Sequence, residues 1–264
     1  MTDKSRALLE ITGIDRKKFL QGLITNDITR AGEKNLIYSA MLNSSGRFLY
    51  DFFIFEIGEK LVLDCSATRR DEILQKLNFY KLRSQVAIAK NDELLVAQNF
   101  SAIGFPDPRS SNLGHRHYLK KSEEKNFPFL EESLYHFTRI SNKIPESEHD
   151  LTYEKSLILE FGFDNLNAID YQKGCYIGQE LTARTHYLGK IRKKLFHAKL
   201  PSEKVVEKNL ELTCEGEPIG IVLSSVFHEA ELHALALIRL SDQQNFTDLA
   251  SKLELSSQKI LLIS

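Results

Sequence analysis

Tryptophan is absent from this chain of 264 residues, so any aromatic stacking falls to nine tyrosines and 16 phenylalanines. Cysteine is scarce: Cys65, Cys175 and Cys214 lie far apart, an odd count with no CxxC pair. That pattern argues against a disulfide scaffold and against a zinc ribbon, and it predicts no metal site. No apolar run approaches the length that spans a bilayer. Met1-Thr2-Asp3-Lys4-Ser5-Arg6 leads into a short apolar stretch without a secretory cleavage signature. A cytoplasmic protein with no membrane association is therefore expected. Neither sign of charge is in excess, since the formal net charge is −1, and bulk charge draws the chain to neither nucleic acid nor lipid. Internal repeats and low-complexity tracts are also missing. What remains is ordinary globular composition, 42% hydrophobic and 27% charged, over a length that allows more than one compact unit.

The first half reads as mixed α+β. Asp15 precedes a helix with Phe19, Leu20 and Leu23 on one face. Residues 36–42 read as a strand, Asn43-Ser44-Ser45-Gly46 as a hairpin turn and residues 48–57 as its partner strand. A third strand follows at Leu61-Val62-Leu63, then an amphipathic helix over 68–80 with Ile73, Leu74 and Leu77 inward. Strands are expected near 86–88 and 94–96. Residues 105–125 read as connections and small elements, and residues 151–159 as a helix restarting after Pro145-Glu146-Ser147. Short strands around 216–223 and 232–238 suggest a small β-barrel. The expected division is 1–190 and 191–264. Strands and helices without regular βα alternation place the chain in the α+β class.

Four features carry candidate chemistry. Alternation along residues 48–57 puts Asp51 on one face with Leu49, Phe53 and Phe55. A carboxylate there is either satisfied inside the protein or lines a ligand pocket. Glu160 stands between Leu157-Ile158-Leu159 and Phe161-Gly162-Phe163; it either reaches water at a helix end or accepts the donor pair of a pterin-like or purine ring. The octapeptide Lys173-Gly174-Cys175-Tyr176-Ile177-Gly178-Gln179-Glu180 frames a thiol between two glycines, where a helix is expected to begin. Orphan N–H groups and Lys173 would favour thiolate there and make Cys175 reactive. The basic run Arg184, His186, Lys190, Arg192, Lys193 and Lys194 is either a solvated face or a seat for a polyanion, with Arg184 nearest the thiol segment.

The octapeptide, continued by Ala183-Arg184-Thr185, resembles the signature of the YgfZ family. Thr25-Asn26-Asp27, Gly46-Arg47 with Asp51, Tyr80-Lys81-Leu82-Arg83-Ser84 and Asp107-Pro108-Arg109 resemble the same family in order. That family is related to the T-protein, the aminomethyltransferase of the glycine cleavage system. The resemblance implies a T-protein-like folate-binding fold, two α+β units in a cloverleaf with a C-terminal β-barrel. It implies tetrahydrofolate or another reduced folate as ligand, contacted by Asn26, Asp51, Glu160, Tyr176, Gln179 and Arg184. Lys173, Gly174, Gly178 and Glu180 complete the motif around Cys175, the expected reactive residue. Implied partners are iron–sulfur enzymes or their assembly proteins, tRNA-thiomethylating radical enzymes among them, with no stable nucleic-acid binding. Tyr50 stands where the T-protein has an acid, which weakens the alternative of a folate-dependent aminomethyltransferase.

Overall fold

A computed structural model describes residues 3–100, 103–189, 191–240, 253–255 and 258–263. In chain order the first elements are β1 (Arg6–Thr12), α1 (Arg16–Gln21), β2 (Ile37–Leu42), β3 (Phe48–Ile57), β4 (Lys60–Ser66), α2 (Arg70–Lys81), β5 (Ala87–Asn91), β6 (Leu94–Asn99), β7 (Phe105–Pro106) and β8 (His115–Lys120). Helices α3 (Glu132–Ser141), α4 (Ser147–Asp150) and α5 (Gln179–Leu188) follow. The remaining strands are β9 (Lys193–Leu200), β10 (Glu211–Cys214), β11 (Glu217–His228), β12 (Glu231–Arg239), β13 (Leu253–Leu255), β14 (Gln258–Lys259) and β15 (Leu261–Ile263). No helix among the described residues is long and apolar enough to cross a membrane. The chain forms two compact units. The first gathers Met1–Leu130, Thr152–Leu157 and Phe163–Arg184; the second gathers Glu131–Leu151, Ile158–Gly162 and Thr185–Ser264.

In the first unit, five antiparallel strands pair in the order β2-β3-β4-β1-β5. β3 is buried along eight of its ten residues because both faces are covered. Tyr50, Phe52 and Ile54 join a core with Phe19, Leu20, Ile73 and Leu77 from α1 and α2. On the opposite face, Phe55 stacks on Tyr118 at 4.2 Å and meets Phe105 at 5.0 Å, both from the three-stranded sheet β6-β8-β7. The expected hairpin turn is present, with Gly46 at φ +72 and its N–H donating to the Asn43 carbonyl at 2.9 Å.

Two expectations need correction. Residues 151–157 are not helical: Glu154 has φ +58, and its N–H donates to the Phe48 carbonyl while Phe48 N–H donates to the Ser156 carbonyl. Those two bonds to β3, over a hundred residues away in the chain, hold the segment as a turn against the strand. Only Ile158–Phe161 forms a turn of 3₁₀ helix. Residues 105–125 hold a genuine strand, β8, whose His-Arg-His-Tyr-Leu-Lys sequence reads as polar yet has Arg116 at 1% exposure.

The second unit is built on a seven-stranded antiparallel sheet, β14-β13-β10-β11-β12-β9-β15. Val222, Ala234, Ala236, Ile238, Leu212 and Leu253 fill its apolar core. The pairings among the described residues end at β14 and β15, so they give a sheet order and not a closed barrel.

Candidate functional site

The thiol segment belongs to the first unit and is bolted to the chain that leaves α1. Asp170 N–H donates to the Thr25 carbonyl at 3.0 Å, and Ile177 N–H donates to the Gly22 carbonyl at 3.1 Å. Between these bonds, Lys173 is buried, and its Nζ donates to the carbonyls of Gln21, Ile24 and Asn26 at 2.8, 2.6 and 2.8 Å. An ammonium has three protons, so all of them are committed to these carbonyls. Burial pushes the Lys173 pKa down to about 8, opposed in part by Asp27 and Asp170. Lys173 thus staples the segment in place.

The two glycines of the motif have different reasons to exist. Gly178 has φ +82, and a Cβ there would lie 2.5 Å from the Asn43 carbonyl oxygen and 3.1 Å from Gly46 Cα. The hairpin turn and the start of α5 therefore interlock, glycine against glycine. Positive φ at Gly178 also delays the helix, which begins at Gln179 and not at the thiol. Cys175 lies four residues before that first helical residue and is exposed. At Gly174 an added Cβ would meet nothing within 4 Å. Tyr176 is buried, which pushes its pKa up to about 12, partly offset by a hydrogen bond with Thr182. Gln179 is half-buried, whereas Glu180 and Arg184 are exposed on α5. Arg192 and Lys194 are exposed and Lys193 half-buried; Lys190 lies outside the described residues.

Asn26 and Asp51 are also in the first unit, with their polar atoms used internally. Asn26 Nδ2 donates to the carbonyls of Tyr38 and Asn167 at 2.8 and 2.7 Å, and its Oδ1 accepts from Asp27 N–H at 2.8 Å. Asp51, at 4% exposure, accepts from Arg6 Nη1 at 3.0 Å and from the Tyr38 hydroxyl at 3.1 Å. It belongs to a buried cluster that sequence reading missed. Arg6 Nε donates to Asp64 at 2.6 Å, Arg116 donates to the other Asp64 oxygen at 2.8 Å, and Arg109 pairs with Asp107 at 2.8 Å. Arg116 lies 3.7 Å over the Phe53 ring. Three guanidiniums and three carboxylates balance, which is the condition for burying charge at all. Burial raises the pKa of Asp64, but Arg6 and Arg116 outweigh it and hold the carboxyl below its ordinary value. Local sequence carried little signal for the cluster: Arg6 stands between Ser5 and Ala7, and Arg116 between His115 and His117. Tyr50, at the position where an acid was expected, donates to Glu72 at 2.6 Å.

Glu160 lies in the second unit, half-buried in the 3₁₀ turn. Burial separates the cysteines: Cys65 in β4 and Cys214 in β10 are enclosed, and burial pushes the Cys65 thiol up to about 12.

No family model matches the chain. It is 32% identical over 244 residues to the mitochondrial iron–sulfur cluster assembly factor IBA57 homolog of Pyricularia oryzae, covering 81% of this chain and 62% of that protein, less than two thirds of its length. To human mitochondrial iron–sulfur cluster assembly factor IBA57 it is 30% identical over 258 residues, covering 81% of this chain and 71% of the human protein. Among solved structures, the glycine cleavage system aminomethyltransferase T from Bartonella henselae superposes with a TM-score of 0.74 over 100% of this chain and 84% of that one. At 12% identity this likeness concerns the fold alone. The relatives by sequence are mitochondrial proteins, which overturns the expectation of a cytoplasmic one. Scarce cysteine excludes a disulfide scaffold but does not separate one reducing compartment from another.

Proposed function

The chain belongs to the IBA57 family of iron–sulfur cluster assembly factors, and from that premise we propose that it is a folate-binding accessory protein that supports the assembly or maintenance of iron–sulfur enzymes, with Cys175 as its reactive residue. The observation that carries this reading is the selective exposure of one thiol. Cys175 is exposed on a segment stapled by Lys173, while Cys65 and Cys214 are enclosed. A cluster in transit needs a sulfur that another protein can reach and that stays in place. Cys175 would release its thiol proton to water and lend its sulfur to one iron, the partner supplying the other ligands. The cluster is cargo in this reading. Radical enzymes that thiomethylate tRNA are among the proposed clients, as the YgfZ resemblance implies.

Tetrahydrofolate or another reduced folate is the proposed ligand, supported by the T-protein-like fold. Asn26 and Asp51 have their polar atoms engaged inside the first unit, so they would shape a site without contacting the ligand. Gln179, half-buried, and Arg184, exposed, would hold the anionic tail, with Tyr176 on the same segment of the first unit; Glu160, half-buried in the second unit, is a separate proposed pterin contact. Bound folate would supply one-carbon or reducing chemistry. The reading keeps a folate-binding region at 1–190 and a C-terminal barrel at 191–264. An aminomethyltransferase is not favoured, because the relatives are assembly factors and Tyr50 replaces an expected acid.

The test is complementation of cells lacking the gene, read by iron–sulfur enzyme activity and tRNA thiomethylation. Cys175→Ala should fail to complement while folding normally; full rescue would dismiss the thiol. Calorimetry with tetrahydrofolate should show binding, weakened roughly tenfold in Glu160→Gln by loss of a charged hydrogen-bond partner. No heat of binding with the native protein would dismiss the folate.

A further inference from the structure

The helix that anchors the thiol segment also forms one wall of a groove. Lys18 and Phe19 of α1, with Leu23 beyond it, face Tyr80, Leu82, Arg83 and Ser84 at the end of α2 across a space of about 830 Å³. Leu82 of the lining is 86% exposed, and Ile14 and Phe79, next in sequence to the lining residues Asp15 and Tyr80, are 80% and 75% exposed. Leu82 is strained as well as exposed. Its φ of 45 and ψ of −111 place it at the first central position of a type II′ turn, closed by Ser84 N–H donating to the Lys81 carbonyl at 2.8 Å. That position favours glycine, and a leucine there gains no burial in return. The turn is held regardless. Gln85 N–H donates to the Asp15 carboxylate at 2.8 Å, and a Cβ at Gly13 would lie 2.1 Å from the Gln85 carbonyl oxygen.

Charge around the groove is mainly positive. Lys18 and Arg83 line it, and Lys76 precedes Phe79 and Tyr80 by one helical turn on the same face of α2. None of the three pairs with a carboxylate among the described residues. Asp15, the acid of the lining, is engaged with the Gln85 backbone.

We propose that this groove docks a segment of a protein partner that presents apolar side chains flanked by carboxylates. Phe79, Leu82 and Ile14 would be covered by the apolar part, and Lys18, Lys76 and Arg83 would meet the acids. Three cations that pair with no carboxylate among the described residues, set beside apolar side chains, favour a partner segment that carries acids. Placement gives the site a use. α1 has six residues, about 9 Å of helix. Its far end, through the Gln21 and Gly22 carbonyls, holds the thiol segment. A partner seated in the groove would therefore lie against the same short helix that carries Cys175's support. Identifying that partner as an iron–sulfur protein rests on the proposed function; the docking itself rests on the groove.

The probe is p-benzoylphenylalanine in place of Phe79, in the full chain, photo-crosslinked in cells and mapped by mass spectrometry. The crosslinked peptide should come from another protein and combine apolar with acidic residues. Its yield should fall roughly tenfold in Arg83→Glu and recover in Arg83→Lys. A crosslink to lipid, nucleic acid, a second copy of this chain or a segment without acids would overturn the proposal. So would a yield no higher than from the same probe at exposed Val205, or one unmoved by Arg83→Glu. A second arm separates docking from the thiol. The double variant Phe79→Glu with Leu82→Glu should keep the melting temperature and the Cys175 alkylation rate, yet lose complementation. Full complementation by this variant would refute docking and leave the thiol reading standing.

Discussion

Replacing Lys173 with methionine keeps most of the buried stem and deletes the ammonium. Three carbonyls, those of Gln21, Ile24 and Asn26, then lose a donor that stood 2.6–2.8 Å away. At 8% exposure the site leaves little room for water to replace it. A hydrogen bond from a charged donor contributes roughly 1.5–3 kcal/mol. The three bonds share one group and are not additive, so the loss should be about 3–5 kcal/mol and not their sum. For a chain of this size that corresponds to a melting temperature lower by roughly 6–20 °C. The pH dependence supplies an independent check. Burial holds the folded-state pKa at about 8, below the ordinary 10.5. Between those values the unfolded chain binds more protons than the folded one, so the proton-linked part of this group's contribution, added to the hydrogen bonds already made at neutral pH, rises with pH across the window, is complete above 10.5 and is lost as pH falls through 8. Urea unfolding of wild type and Lys173→Met at neutral pH and near the top of that window should show the gap widening. Amide exchange at Ile177 should quicken in the variant, since its bond to Gly22 depends on the same anchorage. A destabilisation under about 1 kcal/mol, with unchanged exchange at Ile177, would refute the staple.

Gly178→Ala should cost roughly 1–3 kcal/mol or more, because the backbone there is left-handed and the new Cβ would meet the Asn43 carbonyl; a thermal melt matching wild type would mean the turn and α5 are not interlocked. Iodoacetamide on the native protein should label Cys175 and spare Cys65 and Cys214 until denaturant is added, as read by mass spectrometry; native labelling of Cys65 at a similar rate would show that β4 is not closed. Asp64→Asn should destabilise by roughly 3–5 kcal/mol at neutral pH by leaving Arg6 and Arg116 short of charge. Because the folded pKa of Asp64 lies below its unfolded value, its contribution is full above roughly pH 4 and is lost as pH falls through the folded value. The variant's stability curve should therefore be flatter in acid, and a parallel curve would remove Asp64 from the acid response.

Local pattern made much of the first unit readable. Alternation of side chains along residues 48–57 identified β3 and the two faces it presents, and the spacing of Ile73, Leu74 and Leu77 identified α2, because pleat and helical period are properties of a few consecutive residues. The octapeptide around Cys175 was legible as a contiguous motif, and it pointed to a T-protein-related iron–sulfur family; the relatives are IBA57 assembly factors and not specifically YgfZ. What Asp51 and Lys173 do was not. Asp51 meets Arg6 across 45 residues of chain, and Lys173 meets its three carbonyls across 147 to 152. The strand β8 was hidden because its buried arginine is compatible with a core only once Asp64 faces it. Residues 151–157 likewise yielded local helical preference to hydrogen bonds with Phe48. Periodicity is written in neighbours along the chain. The partner of a buried charge is chosen by which strands lie side by side, and that choice exists only in the folded protein.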